Sequence, residues 1–188
     1  MAGKLIEYVF RKRVKKHSKS DTRNKQFVNY EKAKNILLLF ESNYSEKNPE
    51  TKRIIQSLNT DGKKVTAWGY VDKKNIISAA YPEYRILHKK DLGLFQKPHD
   101  KLIQELQCNE FDLLINISTR RIVPLDYITL NANAKCKTGM KIGTINLYDF
   151  AMDLESHLRD KEIQVDDLEY SFLFNQILFY LKSVHTND

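Results

Sequence analysis

The stretch NILLLF, Asn35 to Phe40, decides the fold. Its last five residues are large and apolar, where a half-exposed strand would alternate and a surface helix would repeat every three or four positions. A run this short, followed by the polar loop ESNYSEKNPE (41–50), reads as a strand covered on both faces. FDLLINI, residues 111–117, has the same character. Strands buried on both sides belong to parallel sheets, because the crossovers of βαβ units lay helices over each face.

Outward from these two strands, the remaining elements follow. A helix near 49–60 carries Ile54, Ile55 and Leu58 inward, tolerates Pro49 in its first turn and stops at Asp61-Gly62. KVTAWGYV (64–71) is rich in β-formers, and Tyr84–Leu87 reads as a short third strand. Pro98 opens a helix with Leu102, Ile103 and Leu106 as its stripe; Pro124 opens another that runs to Asn133. Lys135–Met140 gives a fifth strand. Tyr148, Phe150, Met152 and Leu154 alternate with Asp149, Ala151 and Asp153, a period of two that suits a half-exposed edge strand. The last helix, 165–184, has a broad apolar face from Leu168 to Val184, with Asp166 and Asp167 at the positive end of its dipole. Strands alternating with helices predict an α/β fold: three layers around a mostly parallel sheet of five to six strands, Rossmann-like or flavodoxin-like.

A chain of 188 residues suits one such domain, over 27–188, with a basic helix and polar connector ahead of it over 1–26. In KLIEYVFRKRVKK (4–16), Leu5, Ile6, Val9, Phe10 and Val14 keep helical spacing, and Arg11, Lys12, Lys15 and Lys16 fall mostly on the other side. HSKSDTRNKQ (17–26) has no apolar residue. Residues 1–34 hold eleven Lys/Arg against Glu7, Asp21 and Glu31, a net of +8. The other 154 residues hold twenty Lys/Arg and twenty-one Asp/Glu, a net of −1. All the excess charge of the protein lies at one end.

Several chemistries find no support. Cys108 and Cys136 form no CxxC pair, which argues against a zinc ribbon or disulfide framework and suits a reducing compartment. No apolar run reaches the ~20 residues of a membrane span, and no secretory signal opens the chain; a cytoplasmic protein is expected. The loop after the first strand has no glycine and three glutamates, so neither a dinucleotide fingerprint nor a P-loop is present. No GxSxG or HExxH occurs, and the five histidines are scattered. Neither a metal nor a cofactor is expected. Asp112 and Asp126 could work as a carboxylate pair only if the fold joined them, and Asp112 also suits the start of a strand.

Two regions remain. Polar residues at strand tips can line a ligand cleft, here Asn116, Ser118 and Arg120 after the second apolar strand and Lys141 in TGMKIG (138–143). A helix cap plus solvent-facing arginines, and glycines in a turn between strands, explain the same residues. The basic segment is the stronger signal. Each Lys or Arg that neutralises a phosphate releases condensed counterion, and Arg11, Lys12, Arg13, Lys15, Lys16, Lys19 and Arg23 could supply several such contacts. The uninterrupted polar connector would let the arm order on its partner rather than on its own body. The plain alternative is a solvated terminal helix whose charge aids solubility.

NILLLF with its glycine-poor loop, KKDLGLFQKP (89–98), FDLLINIS (111–118), PLDYITLNANAKCKTGM (124–140) and YDFAMDL before a terminal helix together resemble a family of uncharacterised small proteins of Bacteroidota-type bacteria. The resemblance covers about residues 30–184, and a basic N-terminal helix is usual in it. It implies a cytoplasmic α/β domain, transfers no catalytic residue, and makes KKDLGLFQKP and AKCKTG places to inspect for a surface or pocket. The expected function is therefore non-catalytic binding, with the basic arm engaging RNA or a ribonucleoprotein surface. A small-molecule enzyme or sensor using the strand-end cleft is the competing class. Peripheral attachment to an anionic membrane, with Leu5, Ile6, Val9 and Phe10 inserted, is the third.

Overall fold

The NILLLF strand, β1 (Asn35–Glu41), lies in the middle of a six-stranded sheet. The structure, a computed structural model, describes residues 2–42, 48–72, 84–154 and 168–183. Around β1 stand β2 (Lys64–Tyr70), β3 (Arg85–Leu87), β4 (Phe111–Asn116), β5 (Ala134–Met140) and β6 (Phe150–Met152), in the order β3-β2-β1-β4-β5-β6. Every pair is parallel. This is the Rossmann-like order, with its switch point between β1 and β4; the flavodoxin-like alternative is not adopted. The helices are α1 (Ala2–Ser20), α2 (Asn48–Thr60), α3 (Asp100–Cys108), α4 (Val123–Asn131) and α5 (Tyr170–Ser183).

The apolar run is explained by its two faces. Ile36, Leu38 and Phe40 join Ile54, Ile55 and Leu58 of α2 and Leu173, Ile177 and Leu181 of α5 in one core. Leu37 and Leu39 point the other way, to Leu106 of α3 and Leu125 and Ile128 of α4. Each of these five β1 side chains is completely buried, a contribution of about 1.5–3 kcal/mol apiece in removed apolar surface.

Several boundaries differ from expectation for local reasons. The expected helix over 4–16 runs on to Ser20, because nothing breaks it and the hydroxyls of Ser18 and Ser20 donate back to carbonyls of the preceding turn. The helix expected from Pro98 begins at Asp100, since His99 N–H donates to Asp91 O and Pro98 bridges to Leu92. KKDLGLFQKP forms two tight 3₁₀ turns in which Phe95 and Gln96 both take the left-handed conformation, φ 58° and 60°. The second of these turns packs against α1. The sixth strand is shorter than its alternating pattern because the Asp149 carboxylate is taken by Lys137 N–H and Arg23. Residues 165–167 and 184 of the last helix, with Asp166 and Asp167, lie outside the described residues, as do 43–47 of the first loop, His157 and His185.

Candidate nucleic-acid interface

The arm does not hang free. Phe10 is fully buried against Tyr127 and Leu130 of α4, with Val14, Val123, Ile145 and Leu147 around it. Its ring meets that of Tyr127 edge-on at 4.8 Å, and the Arg121 guanidinium sits 5.3 Å from its centre. Arg121 also bridges Glu7 of α1 to Asp126 of α4. Partial burial opposes ionisation of Glu7, but Arg121 and Arg11 outweigh it and hold the carboxyl below its usual range. The connector is fixed too. Gln26 N–H donates to Lys135 O, and Arg23 donates to Asp149, Asp21 and the carbonyl of Ala134. The expectation of an arm that orders only on a partner is therefore corrected: three buried side chains and an ion-pair relay dock it on its own body.

Docking separates the seven cations into two groups. Arg23 is only partly exposed and its donors are committed inside the molecule. Arg11, Lys12, Arg13, Lys15, Lys16 and Lys19 all face solvent. Arg11 holds Glu7 one turn back, an exposed pair of the kind worth at most ~0.5 kcal/mol. Lys12 lies 4.7 Å over the Tyr8 ring and Arg13 5.9 Å over that of Tyr127. Lys15, Lys16 and Lys19 have no acidic partner among the described residues. Phe10, one of the four residues a membrane reading needs, is consumed by the domain, while Leu5 and Tyr8 are exposed.

The strand-end cleft is nearly closed. Asn116, Ser118 and Arg120 border one cavity of about 20 Å³, room for a single water. Lys141 does not join them; it pairs with Asp153 at 2.9 Å. Arg120 forks onto Glu41 across the switch point, and Tyr170 donates to Glu41 O from the other side. Tyr148 fills the remaining space. It accepts from Asn116 Nδ2 at 2.9 Å and packs against Gly139, where any Cβ would come within 2.5 Å of its ring. Asp126 is buried beside the cavity, and that burial lifts its carboxyl to about 6 despite Arg121. Asp112 sits at the opposite end of β4, accepting from Lys34 N–H, Asn35 N–H and Lys135, so the two aspartates form no pair. Among the described residues no three His, Cys, Asp or Glu side chains gather as a metal site. None of the described helices is long and apolar enough to cross a membrane.

A larger groove opens at the other end of the sheet, beside the N-terminal ends of β4 and β5. It measures about 550 Å³ and runs between the last turn of α1, the connector, and the C-terminal ends of α3 and α4. His17, Asn24, Gln107 and Asn133 face it. Sequence reasoning had no signal for this groove, because its residues come from three stretches far apart in the chain, 17–24, 107–111 and 131–135.

No curated protein and no solved structure matches the chain. A family model does, over residues 6–184, so it takes in α1 and its anchor as well as the sheet. The chain belongs to that family, which is described as a family of unknown function, DUF6913.

Proposed function

We propose that the protein is a non-catalytic binding protein of the bacterial cytoplasm that engages RNA or a ribonucleoprotein surface through the outward face of α1. The observation that carries this reading is the exposure of Lys15, Lys16 and Lys19, without acidic partners among the described residues, on a helix whose other side is anchored by Phe10. A docked helix presents its charges in fixed positions, so binding phosphates costs little further ordering. Arg11, Lys12 and Arg13 extend the same surface. The near-closure of the strand-end cavity supports binding over small-molecule chemistry at that place, since ligand pockets occupy some 300–1,000 Å³.

The test is equilibrium binding of a labelled RNA across a salt series. Three to six phosphate contacts give a log K against log [salt] slope of about −2 to −5. Lys15→Glu/Lys16→Glu/Lys19→Glu lowers affinity at least tenfold at low salt and flattens that slope. Affinity indifferent to salt, or unchanged in the triple variant, removes the reading.

A further inference from the structure

We propose that the 550 Å³ groove at the N-terminal ends of β4 and β5 receives an unpaired nucleobase from a strand of RNA whose phosphates lie on α1. The proposal rests on the RNA-binding reading and adds to it a preference for single strands. Three features of the groove point this way.

First, its floor cannot be a phosphate cradle. Arg23 is spent on Asp21, Asp149 and a backbone carbonyl, and Lys135 is spent on Asp112 at 2.8 Å. Second, three carboxamides stand among the side chains left uncommitted, beside His17, Thr22 and Glu110. Asn24, Gln107 and Asn133 have no side-chain hydrogen bond within the protein among the described residues, whereas Asn131 and Asn109 each donate to a helix carbonyl. An amide offers a donor and an acceptor side by side, the pattern that base edges complement, and unpaired RNA bases are read in this way. Third, the cations stand at the rim. His17 and Ser20 form the α1 wall of the groove, and Lys16 and Lys19 are their neighbours on that last turn. A strand that lays its phosphates along α1 thus passes a cavity large enough for one base as it leaves the helix. A blunt duplex can use the same cations, yet its bases are stacked and paired and cannot enter.

The experiment compares the full chain against a labelled twelve-nucleotide single strand and a blunt duplex at matched salt, with adenosine monophosphate as competitor. The wild type prefers the single strand by about tenfold. Gln107→Ala/Asn133→Ala, both at the groove margin, brings that preference close to one while the salt slope stays as it was. The triple lysine variant weakens both probes alike. A 4-thiouridine strand photocrosslinks to peptides containing His17 or Phe111, a readout that needs no variant to fold. Equal affinity of the wild type for both probes, an unaltered preference in the double variant, or crosslinks confined to α1 outside the groove would each overturn the base site while leaving the RNA reading standing. Absence of binding to either probe overturns both. Displacement by micromolar adenosine monophosphate alone would assign the groove to a free nucleotide and overturn the strand.

Discussion

Lys137 places a cation in the buried middle of β5. The residue is 3% exposed, and among the described residues its ammonium donates only to Leu130 O, at 3.1 Å. Burial, reinforced by Arg23 and only partly offset by Asp21 and Asp149, brings the amine down to about 7 from 10.5. A depressed folded value means that the stability associated with this group is complete above about 10.5 and is lost as pH falls through about 7. Lys137→Met should therefore melt higher than the wild type at pH 6, with the gap closing toward pH 10.5; an equal gap at both pH values would show that the buried amine carries no such cost. Gly139 is constrained by space instead. Alanine there drives a methyl into the ring of Tyr148, which Asn116 holds in place, and overpacking of this kind costs about 1–3 kcal/mol. The urea midpoint of Gly139→Ala should fall accordingly, and an unchanged midpoint would mean that Tyr148 swings aside without resistance. Neither residue was legible beforehand: an alternating lysine in AKCKTGM reads as solvent-facing until α4 is known to lie over it.

The helix α1 shows where pattern reading stops. Its stripe of Leu5, Ile6, Val9, Phe10 and Val14 has the same appearance whether it faces protein, membrane or solvent. The sheet could be read because β1 and β4 announce burial on both faces within themselves. Docking could not, because its other half is on α4. The informative sign was in α4 itself: Pro124 through Leu130 are all buried, so this helix has no solvent face. A helix covered all round needs a covering layer outside the usual three, and α1 with Ile145 and Leu147 supplies it. Phe10→Ala should cost about 3–5 kcal/mol of the attachment of α1. In limited trypsin digestion the Arg11–Lys16 segment should be cut many times faster than in the wild type, while the sheet survives; equal cutting rates would show that α1 is held by something other than Phe10. The cations of the interface were legible because charge adds along the sequence. The groove was not, because Gln107 and Asn133 meet His17 only through the fold.

At the scale of the whole molecule, charge is segregated without being separated. A segment of net +8 is packed on a body of net −1, and the contact between them is apolar at Phe10 and ionic through Glu7, Arg121 and Asp126 and through Arg23 on Asp149. Glu7 and Asp126 are engaged by Arg121 in holding α1, while Lys15, Lys16 and Lys19 keep its outer face positive. This arrangement makes truncation a poor probe of binding. Removing residues 1–20 deletes the cations but also uncovers Tyr127 and Leu130, 1% and 9% exposed in the intact chain, and leaves Arg121 without Glu7. Reversing Lys15, Lys16 and Lys19 touches none of those contacts. The truncated chain should bind a hydrophobic dye and unfold several degrees lower, at roughly 2–4 °C per kcal/mol for a domain this size. The charge-reversed chain should keep the parent melting temperature and dye response while losing RNA. A truncated chain that melts like the parent would show that α1 adds nothing to the fold, and a charge-reversed chain that melts lower would show that its lysines face the body.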